Sequence, residues 1–123
     1  MTTKKDQLLE LLQNNLEKKE GSFLYKLNDE NLFDNATYNE FSITTAYVSN
    51  IELDEETRVK FIPILWEIGF KVISCISWHY NGFDVYCIKN AKDYDLNELS
   101  NRIYYLCNFF SYGKKMDYEY LAM

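Results

Sequence analysis

The sequence predicts an α+β domain in which an antiparallel sheet carries two helices on one face and an amphipathic helix precedes it. Three observations carry that expectation. The run Phe41–Val48, FSITTAYV, is β-branched and aromatic, as strands tend to be. Two more strand-like runs, Phe70–Tyr80 and Phe83–Ile88, flank Asn81-Gly82, the dipeptide best suited to the positive φ angles of a type I′ hairpin turn. Finally, three apolar patterns at three- and four-residue spacing start at a capping residue or stop at a glycine.

Residues 3–19 read as the first helix, because Leu8, Leu9, Leu12 and Leu16 share one stripe while Lys4, Lys5, Glu10, Glu17 and Lys18 fall elsewhere; Gly21 supplies the stop. Ser22 to Tyr38 reads as a short strand or irregular segment followed by loop. After the Phe41–Val48 strand, Asp54 caps a second helix whose first turn holds Glu55 and Glu56. Its stripe is Val59, Ile62, Leu65, Trp66 and Ile68, and Gly69 ends it. Pro63, lacking an amide, is expected to bend this helix or remove one hydrogen bond.

A two-residue hairpin turn would place His79 opposite Asp84, Trp78 opposite Val85 and Ser77 opposite Tyr86. One face of the hairpin then holds Val72, Ile76, Trp78, Val85 and Cys87, and the other Ile73, Cys75, Ser77, His79, Asp84, Tyr86 and Ile88. Asp95 caps the last helix, Leu96 to about Phe110, Gly113 ends it, and MDYEYLAM forms a final short strand. From residue 41 onward this order resembles the ferredoxin-like βαββαβ sandwich, a fold that small inhibitor proteins use. The resemblance spans residues 41–123, rests on element order, and brings no residue role with it. With the helix of residues 1–20 in front, residues 1–123 form a single domain.

Composition narrows the function. A chain of 123 residues with 47% apolar and 17% aromatic side chains is expected to bury one core. Nineteen acids against thirteen bases leave a net charge of −6, which disfavours phosphate backbones and anionic lipid surfaces. Neither nucleic acid nor membrane is therefore an expected partner. The opening lysines run into Asp6, Gln7, Glu10 and Gln13 where a secretion signal needs an apolar stretch, so the cytoplasm is the expected compartment. Cys75, Cys87 and Cys107 lie in apolar runs without CxxC spacing, and His79 is the single histidine, so no metal or other cofactor is expected.

The pair His79 and Asp84 is the one arrangement that points to acid-base chemistry, and no nucleophile or oxyanion donor lies near it in the chain. No catalytic residue is therefore assigned. The charge map is more informative: Asp29, Glu30, Asp34, Glu40, Glu52, Asp54, Glu55 and Glu56 follow one another with no Lys or Arg between them. If the loop packs near the next helix start, these acids merge into one patch with Phe33 and Tyr38 as aromatic anchors. The expected function is a small acidic protein-binding or inhibitor module, of the immunity-protein, antitoxin or phage anti-defence type, that engages a basic surface through Asp29, Glu30, Phe33, Asp34, Tyr38, Glu40 and Glu52. The alternative is a ligand-binding regulator or enzyme using the open sheet face around His79, Asp84 and Tyr86, and a homodimer is a further partner class.

Overall fold

The computed structural model describes residues 3–82 and 85–123. Among them there is no strand. The elements are α1 (Lys4–Leu16), α2 (Phe23–Asn28), α3 (Asn35–Ile51), α4 (Glu55–Tyr80), a 3₁₀ turn at Ala91–Asp93, α5 (Leu96–Tyr112) and α6 (Tyr118–Leu121). The expected α+β ferredoxin-like sandwich is therefore replaced by a helical bundle, although α1 falls within the span of its leucine stripe and α4 and α5 start at the Asp54 and Asp95 caps.

Each helix begins on a side-chain cap. Thr3 and Asp6 form a reciprocal capping box on α1. Ser22, Asp34, Asp54, Asp95 and Asp117 accept amide hydrogen bonds at the starts of the other five helices. The Asp34 cap explains why the presumed strand is helical. From there Tyr38, Phe41, Ser42, Thr45, Ala46, Val48 and Ser49 are buried, a helical repeat that alternating bulk conceals. Thr45 Oγ1 also donates to the Phe41 carbonyl at 2.7 Å, one turn back along the helix.

α4 corrects the hairpin in the same way. It runs unbroken through Pro63 and Gly69 to Tyr80, and its buried residues Arg58, Phe61, Leu65, Ile68, Gly69, Val72, Cys75 and Ile76 recur at three and four residues. Asn81 has φ −83°, and the left-handed glycines are Gly21 and Gly113, so Asn81-Gly82 does not form the type I′ turn. The pairing of His79 with Asp84 falls partly outside the described residues. Gly69 serves packing: a Cβ there would lie 2.7 Å from Cys107 Sγ and 3.3 Å from Ile103 Cγ2. That close approach joins α4 to α5, which runs antiparallel to it, with Arg58 beside Phe110, Leu65 beside Cys107 and Gly69 beside Ile103.

Arg58 is buried in the first turn of α4. Its Nη1 donates to Ser49 Oγ at 2.7 Å and to the Phe110 carbonyl at 2.9 Å, and its Nη2 donates to the Ser49 carbonyl at 3.1 Å. One guanidinium thus sits at the carbonyl-rich ends of both α3 and α5, where helix dipoles favour a cation. On the other side of the bundle Phe23, Phe33, Tyr38 and Phe41 form an aromatic cluster. Buried Asn15 ties α1 to α2, donating to the Leu11 carbonyl at 2.9 Å and accepting from the Leu24 amide at 3.0 Å.

Candidate protein-interaction surface

The residues expected to form one acidic site are distributed among different tasks. Phe33 and Tyr38 lie in the core, where neither can anchor a partner on the surface. Tyr38 donates its hydroxyl to the Leu121 carbonyl at 2.7 Å, and burial pushes its phenol up to about 12. Asp34 caps α3 and pairs with Lys26 at 3.5 Å; burial opposes its charge, but the Thr37 hydrogen bonds and Lys26 hold its carboxyl below the ordinary value. Glu40 lines a half-open cleft of ≈ 260 Å³ with Leu11, Asn14, Lys19 and Glu20. Glu52 is exposed at the opposite end of α3 from Asp34, a separation of about 27 Å at 1.5 Å per residue. The acids therefore divide between the two ends of α3 and do not merge. Asp29 and Glu30 are exposed beyond α2, close enough to Tyr25 that, after partial burial, their carboxylates and that of Glu20 raise its phenol.

His79 and Tyr86 serve to attach a loop. His79 Nδ1 accepts from the Ile88 amide at 2.9 Å, which requires that nitrogen to be unprotonated. Tyr86 donates its hydroxyl to the Leu27 carbonyl and packs edge-on against Trp78. Asn90 adds two bonds to the Phe33 backbone, at 2.9 and 2.7 Å, so residues 86–90 are fastened to the α2–α3 loop. Burial raises the thiols of Cys75 and Cys107, the latter to about 12, which keeps them protonated and weakly nucleophilic at neutral pH. Among the described residues no group of three His, Cys, Asp or Glu side chains is placed to hold a metal ion, and no helix is long and apolar enough to cross a membrane.

The outer face of α4 contrasts with these committed side chains. Val59, Pro63, Trp66, Phe70, Ile73, Ser77 and Tyr80 recur in alternating steps of four and three along one side of the helix, the spacing of a coiled-coil seam. Val59 is 58% exposed and Phe70 72% exposed, while Ile73 and Tyr80 also reach solvent. Trp66 is half-buried, donating Nε1–H to Ser111 Oγ at 2.7 Å and meeting Tyr104 edge-on. Tyr104, itself 57% exposed, carries the apolar surface across onto α5. Single exposed apolar residues are ordinary; a row of aromatic and branched side chains along the longest helix is the composition of an interface centre.

No family model, curated protein or solved structure matches the chain.

The sequence reading missed this surface because it assigned Val59 and Trp66 to the same stripe as Leu65 and Ile68, and Phe70 and Ile73 to a strand. The four-three spacing from Val59 to Tyr80 was the signal available. A second apolar stripe on the same helix obscured it.

Proposed function

We propose that this protein works by docking onto another polypeptide, and that the docking surface is the outer face of α4 with Tyr104 of α5. The carrying observation is the seven-position seam from Val59 to Tyr80, with Phe70 exposed at its centre. Aromatic side chains at the centre of a contact contribute most of the binding energy when a partner excludes water from them. The reading keeps the chain in the class of small cytoplasmic binding proteins, where immunity proteins, antitoxins and anti-defence proteins belong. It moves the contact from the acidic stretch to an aromatic helix face.

The test is site-specific cross-linking from cells. A photoreactive phenylalanine analogue at position 70 is expected to give a discrete protein adduct, and the same analogue at Glu30 none. The purified adduct partner should bind wild type at least about thirtyfold more tightly than Phe70→Asp, the loss of one hot-spot side chain. Adducts at position 30 alone would place the contact at the acidic end of α2 and reject the α4 reading.

A further inference from the structure

We propose that the occupant of the α4 face is a second copy of this chain, packed antiparallel about a two-fold axis that passes between Pro63 and Trp66. The inference rests on the reading of that face as a docking surface, and it names the partner. The argument is electrostatic. The protein as a whole is acidic, at −6, but the polar flank of the α4 seam is balanced: Glu56, Lys60, Glu67 and Lys71 follow one another with alternating sign. A basic partner would find no complement there. A copy of the same helix, turned end for end, would.

In an antiparallel pair of helices the seam positions interleave, and each flanking position meets the equivalent flank of the partner. Setting Trp66 against Pro63 of the second copy brings Phe70 against Val59, so two strongly exposed seam residues cover each other. The same register brings Lys60 beside Glu67 of the second copy, twice by symmetry. Sliding the helices by one heptad would oppose Glu67 to Glu67, so charge selects the register. Lys60 and Glu67 are both exposed. Lys60 makes a long 3.9 Å pair with Glu56, and Glu67 has no ion-pair partner among the described residues. Tyr104 lies on the α5 side of the seam, where the α5 helices of the two copies approach. Repulsion between two −6 chains is screened beyond about 8 Å at physiological salt, so the local pairs decide.

Sedimentation equilibrium of the full chain tests this. Wild type is expected to be dimeric at about 100 µM, and Phe70→Asp monomeric with unchanged helical circular dichroism. Lys60→Glu and Glu67→Lys, each placing two like-charge contacts in the dimer, are expected to weaken it by about tenfold. The double variant, which restores opposite charges in every pair, is expected to return to within about twofold of wild type. A dimer insensitive to Phe70→Asp, or a double variant no tighter than the singles, overturns the proposal. A monomeric wild type that still cross-links a different protein from position 70 overturns the proposal and leaves the docking reading standing. A monomeric wild type with no adduct from position 70 removes both.

Discussion

The two faces of α4 repeat at the same spacing and meet opposite fates. On the inner face Leu65, Ile68, Val72 and Cys75 are sealed, and at Gly69 the neighbouring helix comes so close that there is no room for a methyl group. On the outer face Val59, Phe70 and Tyr80 project into water. Periodicity thus identifies helical faces, but not what covers them. The inner face has its partner in the same chain, where α5 packs antiparallel against it, whereas Val59, Phe70 and Tyr80 on the outer face are left exposed.

The widest contrast is expected from truncating one residue on each face. Leu65→Ala should destabilise the fold by about 2–5 kcal/mol in chemical denaturation, because it deletes buried methyl groups and leaves a cavity. Phe70→Ala should change the stability of the monomer by no more than about 0.5 kcal/mol while removing the docking proposed above. A comparable loss from Phe70→Ala would mean that the outer face is already packed within one chain, and the comparison would fail.

A smaller effect tests the closeness of the inner contact. Gly69→Ala gains about 1 kcal/mol of helix propensity, but it drives a methyl group into Cys107 Sγ, and overpacking of that kind costs about 1–3 kcal/mol. The expected sum is a net loss, part of which Cys107→Ala recovers in a double-mutant cycle. Net stabilisation by Gly69→Ala alone would show that α4 and α5 can separate without cost.

The smallest effect concerns the cap that both faces share. Hydrogen bonds from the Thr57 side chain and amide, assisted by Lys5, hold the Asp54 carboxyl at about 2, below its ordinary 3.8. A carboxyl depressed on folding adds stability that is present above its unfolded value and is lost as pH falls through its folded one. The stability difference between wild type and Asp54→Ala is therefore expected to be constant from pH 7 to about 5 and to shrink between about pH 4 and 2. A difference independent of pH would assign the cap's contribution to geometry and not to charge.

How much of this was legible follows from the same two faces. α1 and α5 each carry one apolar stripe against a polar remainder, and the Asp95 cap and Gly113 stop of α5 were legible, whereas α1 ends at Leu16, before the expected stop at Gly21. α4 carries two stripes, and superposing Val72 and Ile76 from the inner face on Phe70 and Ile73 from the outer one imitates the alternation of a strand. Asn81-Gly82 then lent that reading a turn, although the backbone there keeps φ negative at Asn81. In α3 the β-branched residues Ile43, Thr44, Thr45 and Val48 carried strand propensity, and burial against neighbouring helices overrode it. Asp34 was read as a member of an acidic surface, whereas its carboxylate accepts the Thr37 amide and starts a helix. The acidic stretch misled for a related reason: neighbours in sequence end up at opposite ends of a long helix, and only the fold could show it.

Arg58 couples events that would otherwise be independent. Helix ends fray, and their last amides normally exchange with solvent through local opening that needs no unfolding elsewhere. Here the terminal carbonyls of α3 and α5 share one donor, which belongs to the opening turn of a third helix. To release either end, the guanidinium must abandon the other or remain buried with its hydrogen bonds unmade. The amides near Ser49, Arg58 and Phe110 are therefore expected to exchange with deuterium as one cooperative unit, making this junction, and not the middle of any helix, the slow-opening point of the bundle.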